Sequence, residues 1–185
     1  MIAIAAGTSA NNPFNHIIPF RRHRFILHFS RTSGEINEFM KMNAINLVEI
    51  GLKQVRKRIY GANVTVMGLA DKKNINDPRE SLFIKIMEEL VQLGAKVRGY
   101  DLYVPSFQTC AGEFTSAVSI DDALDGVNCA VFLTDHDVFR EILLETMKEM
   151  MALPIVVHGK KMFIPIDGII YFGIGKANGH AKGIN

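Results

Sequence analysis

The run NCAVFLT, Asn128 to Thr134, constrains the fold more than any other stretch of the chain. It is apolar almost throughout, so a strand made from it needs cover on both faces. That is the pattern of a parallel strand inside a layered α/β sheet. Other runs suit the same sheet. NVTVMG (63–68) is short, rich in β-branched residues and closed by glycine, and AKVRGYD (95–101), PIVVHG (154–159) and GIIYFGIG (168–175) follow it. A weaker strand is expected near Val118. Helical patterns separate these runs, and that alternation predicts an open parallel sheet with right-handed crossovers.

The helices can be read from spacing and caps. In residues 36–58, Ile36, Met40, Ala44, Leu47, Val48, Leu52 and Val55 recur at steps of three and four. Phe39, Met42, Ile45 and Ile50 add apolar surface off that stripe, so this helix is expected to need more than one partner. Lys53, Arg56, Lys57 and Arg58 suit the negative end of its dipole. A second helix is expected to open at Asp77-Pro78-Arg79-Glu80, with Asp77 as N-cap and Pro78 in the first turn. It should bury Leu82, Phe83, Ile86, Met87, Leu90 and Val91 and stop at Gly94. SIDDALDG (119–126) predicts a short helix capped by Ser119 or Asp121. DHDVFREILLETMKEMM (135–151) predicts one amphipathic helix with Asp135 as its cap.

Composition narrows the function. The chain has 185 residues, 48% hydrophobic and 22% charged, with net charge +2. Such a balance makes no electrostatic case for nucleic acid or a membrane surface. No apolar run reaches the roughly 18 residues of a membrane span. The first residues make a poor signal peptide, since no positive residue precedes a short apolar stretch. A cytoplasmic location is expected, with Cys110 and Cys129 as free thiols. Residues 1–33 hold four arginines and no acid, leaving −2 (+2 less +4) for residues 34–185. RRHRF, residues 21–25, could be a small nucleic-acid or phosphate patch, although such clusters are more often a solvated face.

In an open parallel sheet, ligands bind beyond the carboxyl ends of the strands. Those ends carry the charged loop 69–81, Asp101, the segment Thr134–Asp137, and His158-Gly159-Lys160-Lys161. Lys72, Arg79 and Lys160 are candidate contacts for an anionic ligand. A dinucleotide site wants G-x-G-x-x-G after the first strand. Here Gly68 stands alone before bulky charged residues. Asp101 could hold a ribose hydroxyl or could act as a turn residue, and without a phosphate cradle the turn role is favoured. His136 is a candidate general base beside the expected cap. Cys129, within an apolar strand, suits packing. No cluster has metal spacing.

The same residues also carry a resemblance. VTVMGLADKKNINDPRES, LGAKVRGYDLYVP, SIDDALDGVNCAVFLTDHDVF, VVHGKKMF and YFGIGK occur in register with the motifs of the carboxyl-terminal domain of the UDP-glucose/GDP-mannose dehydrogenase family. The likeness covers residues 36–176. It implies an open, mostly parallel Rossmann-like sheet with helices on both faces, preceded by a long helix. The expected divisions are an extension at 1–33, a linking helix at 34–60, the nucleotide-sugar domain at 61–176 and a tail at 177–185. Thr134-Asp135-His136 resembles the branch acting on N-acetylhexosamine nucleotides, with UDP-N-acetylmannosamine the favoured substrate. The UDP-glucose branch tends to carry T-E-W there.

Enzymes of this family oxidise a sugar C6 alcohol to a carboxylate with NAD, through a cysteine in a G-G-x-C-x-P-x-D segment. Nothing in the chain matches that segment or the amino-terminal NAD fingerprint. The resemblance therefore implies no catalytic residue here. It implies substrate contacts at Lys72 and Lys160, and a contact from Arg79 to NAD held on another domain. Asp71 replaces the phenylalanine that usually precedes the lysine. His158 and Lys160 replace the aspartate and arginine of D-G-R, so the charge is kept but the bidentate geometry is lost. The implied partners are a UDP-sugar and either a second copy or a catalytic chain docked on helix 36–58. A split enzyme and a decayed fragment both fit.

Overall fold

A computed structural model describes residues 24–70, 82–109, 112–160 and 162–174. The chain divides into two compact units, Met1–Phe39 and Met40–Asn185. Helix α1, Arg24–Gln54, contains the division. Its start lies twelve residues before the one read from periodicity, because the 3.6-residue stripe first appears at Ile36. In the first unit, residues 24–39 are helical and Ile36 and Phe39 are exposed.

The second unit is built on five parallel strands: β1 Asn63–Met67, β2 Lys96–Tyr100, β5 Cys129–Phe132, β6 Ile155–His158 and β7 Ile170–Gly173. Their order is β2-β1-β5-β6-β7, with β5 in the middle. The centre of the sheet is therefore the segment whose apolar pattern demanded two covers.

Alternation along the strands divides the core into two layers, because successive side chains point to opposite faces. On one face Val64, Val66, Cys129, Val131, Ile155, Val157, Ile170 and Phe172 meet Ala44, Val48 and Leu52 of α1. Helix α2, Leu82–Gln92, joins them there with Phe83, Ile86, Met87 and Leu90. On the other face Met67, Ala130, Phe132, Val156 and Tyr171 meet Ala123 and Leu124 of helix α3, Ile120–Leu124. Phe139 of helix α4, Asp137–Arg140, and Leu144 and Met147 of helix α5, Leu144–Met150, complete that layer.

Several sequence expectations change. Val91 is 41% exposed rather than part of the α2 stripe. The stretch 135–151 forms two helices, α4 and α5, instead of one. Phe139 and Leu144 are both buried but five residues apart, which a single helix would point about 140° apart. The extended Leu143, φ −75° and ψ 131°, resets the phase so that both reach the sheet. Val118 is exposed and lies outside any strand. Just before it comes an unforeseen antiparallel hairpin, β3 Ser106–Thr109 and β4 Gly112–Thr115. Phe107 and Phe114 pair across it with ring centroids 5.5 Å apart, and Phe83 of α2 meets Phe107 edge to face at 5.3 Å. Each such ring pair adds about 0.5–1.5 kcal/mol beyond its burial.

The expected caps around Asp77 and Pro78, and Cys110, lie outside the described residues. Ser119 caps α3 as read, accepting from Asp122 N–H at 3.0 Å. Gly94, φ 82°, follows α2 as expected.

Candidate functional site

The carboxyl ends of β1, β2, β5 and β6 lie along one edge of the sheet because all four strands are parallel. Asp101, just past β2, is the anchor of the deeper half of this edge. Its Oδ2 accepts from Leu69 N–H at 2.6 Å and Ala70 N–H at 3.0 Å, and Oδ1 accepts from Tyr103 N–H at 2.7 Å. His136 Nε2 lies 2.9 Å from Oδ2, with both side chains fully buried. Burial alone would raise the Asp101 carboxyl. The His136 hydrogen bond and charge, with the Tyr103 and Leu69 N–H groups, outweigh it and hold the carboxyl below its ordinary value. Thr134 adds a hydroxyl that donates to Ala70 O. The exits of β1, β2 and β5 are thus tied together.

Of the two roles open to Asp101, the geometry gives the turn role. Its carboxylate is spent on three backbone donors and a histidine, with none of it directed to a ribose. The same geometry explains His136, which is buried against the Asp101 carboxylate and does not face solvent as a general base. Nor is Asp135 the cap of α4: His136 holds that position and caps with its backbone only. The Asp135 carboxylate has been drawn elsewhere. Its Oδ1 accepts from Lys160 Nζ at 2.7 Å, and Oδ2 lies 3.4 Å from Arg140. Despite partial burial, these cations hold Asp135 below the ordinary carboxylate range.

Lys160 is therefore the candidate contact whose place is described. It stands two residues past β6, half exposed, on the shallow half of the edge with Asp135 and Arg140. Lys72 and Arg79 lie outside the described residues. The Asp135–Lys160 and Asp101–His136 pairs escaped the sequence reading. The only local signal was the T-D-H triplet, whose second and third residues turn in opposite directions, one outward to Lys160 and one inward to Asp101.

The described residues of the β1 exit do not fit the pyrophosphate of NAD. The Leu69 and Ala70 N–H groups that would cradle it already serve Asp101. Gly68, φ 84°, lies so close to Thr134 that an added Cβ would stand 2.8 Å from its Cβ and 2.9 Å from its N. This glycine serves strand packing, not close approach of a ligand. Among the described residues no His, Cys, Asp or Glu cluster could hold a metal. Burial pushes the Cys129 thiol far above its ordinary value, so it is inert packing as read. No described helix is long and apolar enough to cross a membrane.

Comparison with known proteins agrees with this layout. The chain is 28% identical over 148 residues to UDP-glucose 6-dehydrogenase TuaD of Bacillus subtilis, covering 77% of the chain and 31% of that protein. It is 28% identical over 149 residues to UDP-N-acetyl-D-mannosamine dehydrogenase of Pyrococcus horikoshii, covering 80% and 34%. The solved UDP-D-ManNAc dehydrogenase of Pyrococcus horikoshii superposes with a TM-score of 0.69 at 27% identity, over 88% of this chain and 35% of that one. The chain thus spans about a third of the length of these relatives, at their carboxyl-terminal part. The model of the UDP-glucose/GDP-mannose dehydrogenase family, UDP binding domain, matches residues 65–165, more than half of the chain, and to that family the chain belongs.

Proposed function

We propose that this chain is the nucleotide-sugar-binding portion of an NAD-dependent UDP-sugar 6-dehydrogenase, with UDP-N-acetylmannosamine the favoured substrate of the complete enzyme. The observation that supports it most is the match of residues 65–165 to the UDP binding domain, with half-exposed Lys160 at the carboxyl edge. In this reading Lys160 and Lys72 meet the diphosphate, and Arg79 reaches towards NAD held on another domain. T-D-H at Thr134–His136 favours the N-acetylhexosamine branch. The protein acts in the cytoplasm.

The 185 residues are not expected to oxidise sugar by themselves. Their sequence contains neither a dinucleotide fingerprint nor the family's cysteine segment, and the β1 exit spends its backbone donors on Asp101. Two measurements test the proposal. Calorimetric titration should show heat with UDP and UDP-N-acetylmannosamine, and no heat at millimolar ligand would remove the binding role. Purified chain given UDP-N-acetylmannosamine and NAD should form no NADH, and steady formation would refute inactivity.

A second reading makes the chain a docking or dimerising subunit through helix 36–58. Its support is apolar exposure in α1: Met42 is 63% and Ile50 37% exposed in one unit, and Phe39 is 65% exposed in the other. Light scattering that gave a monomer at all concentrations, alone and with the NAD-binding and central domains of the family, would exclude it. A neighbouring reading frame encoding those domains would favour a split enzyme over a decayed fragment.

A further inference from the structure

Lys160 is a flexible stem ending in a charge, and an exposed lysine makes a poor contact unless something holds it in place. The structure contains such a support in His158, the last residue of β6. Its ring is 3% exposed and stacks on Tyr171, with centroids 4.5 Å apart and planes 24° apart. Its Nδ1 lies 2.7 Å from Lys160 O. A carbonyl oxygen only accepts, so the bond requires the proton on Nδ1. The hydrogen bond closes a tight turn over residues 158–160. Gly159 N–H donates to Phe132 O at 2.7 Å, tying that turn to β5. Tyr171 is fixed in its turn, its O–H donating to Phe163 O at 3.1 Å. The Lys160 backbone is thereby held by the ring and by the neighbouring strand, and its Nζ reaches Asp135 at 2.7 Å.

We infer that His158 is a positioning residue for the phosphate contact at Lys160: its Nδ1–H holds the Lys160 carbonyl and sets where the ammonium can meet a diphosphate. This rests on the proposed role of Lys160. It goes beyond that role by assigning a function to a buried histidine that stands behind the contact. As a mere packing residue, His158 would matter for stability and leave affinity untouched.

Asparagine separates the two, because its side-chain amide places an N–H donor near the position of Nδ1 while removing the ring. Alanine removes both. The experiment titrates the full chain with UDP, and in parallel with inorganic pyrophosphate, for wild type, Lys160→Ala, His158→Ala and His158→Asn, each checked by thermal melting. Lys160→Ala and His158→Ala should each weaken UDP binding about fivefold or more, the scale of one hydrogen bond to a positioned group. His158→Asn should stay within about twofold of wild type even if its melting point falls as far as that of the alanine variant.

His158→Ala binding like wild type while Lys160→Ala does not would overturn the positioning role alone. So would His158→Asn binding as weakly as His158→Ala. Wild type that bound neither UDP nor pyrophosphate, or Lys160→Ala that lost nothing, would remove the phosphate reading of the edge and the positioning role with it. If His158→Ala does not fold, ¹⁵N spectra of the intact chain decide. A His158 proton on Nδ1 supports the inference, and a proton found only on Nε2 overturns it.

Discussion

Asp101 holds three backbone N–H groups at the exits of β1 and β2. Removing its carboxylate leaves the Leu69, Ala70 and Tyr103 N–H groups without an acceptor, which at about 1–3 kcal/mol per buried donor costs about 3 kcal/mol or more in all. Asp101→Ala should therefore lose about that much in urea denaturation, while His136→Gln, which keeps a donor near Nε2, should lose less. Because the folded carboxyl lies below its ordinary value, its stabilisation is complete above the unfolded pKa of about 3.9 and disappears as pH falls through the lower folded value. Stability of wild type should fall along that acid limb, and Asp101→Asn should flatten it. An equally steep limb in the variant would show that other carboxylates dominate. Arg56 offers a test of the opposite sign. It has φ 57° at the end of α1, where its N–H reaches Lys53 O at 3.0 Å and Lys57 N–H reaches Leu52 O at 2.9 Å. This is a helix end that favours glycine. Arg56→Gly should raise stability by about 0.5–1 kcal/mol in the same measurement. The basic end of α1 was visible in sequence, but the left-handed residue was not, since arginine gives no sign of it.

Among the elements, α1 sits unusually close to the sheet. Gly51 lies inside the helix, and a Cβ there would stand 2.6 Å from Ile155 Cγ2 and 3.1 Å from the Phe172 ring. Alanine normally strengthens a helix by about 1 kcal/mol over glycine. Here the clash with a branched side chain on β6 should outweigh that gain, and Gly51→Ala should destabilise by about 1–2 kcal/mol, as overpacking does. A gain in the denaturation midpoint would mean that the strand yields easily. Periodicity alone placed the helix but could not show this approach, because a glycine in a stripe looks like a weak spot until its neighbour is known. The split between α4 and α5 has the same origin. Both parts are amphipathic, and only the direction of the sheet shows that their stripes need different phases.

For the whole molecule, the decisive quantity is the burial of the central strand. Cys129 is fully enclosed between the two layers of helices, and burial pushes its thiol far above the ordinary value. In a Cys110→Ser background, a thiol reagent should therefore label Cys129 only as fast as the domain opens. Labelling should accelerate steeply near the unfolding midpoint in denaturant, and fast labelling in native buffer would contradict a closed core. The order of strands also explains how far sequence reasoning could reach. The apolar NCAVFLT run, the turns at Gly94 and Gly126, the Ser119 cap and the alternation of strand with helix are local. Each acts over a few residues through side-chain period or backbone conformation, so the sequence by itself determined an α/β sheet covered on both faces. The lone glycine after β1, Gly68, likewise argues against a dinucleotide site. The ties at the carboxyl edge are different in kind. Asp101 and His136 are 35 residues apart and Asp135 and Lys160 are 25 apart. They meet because β2 and β5 flank β1, and β6 lies beside β5, all in parallel register. Only the tertiary structure decided those meetings, since strand order comes from the packing of the whole chain and no local pattern encodes which loop ends will share an edge.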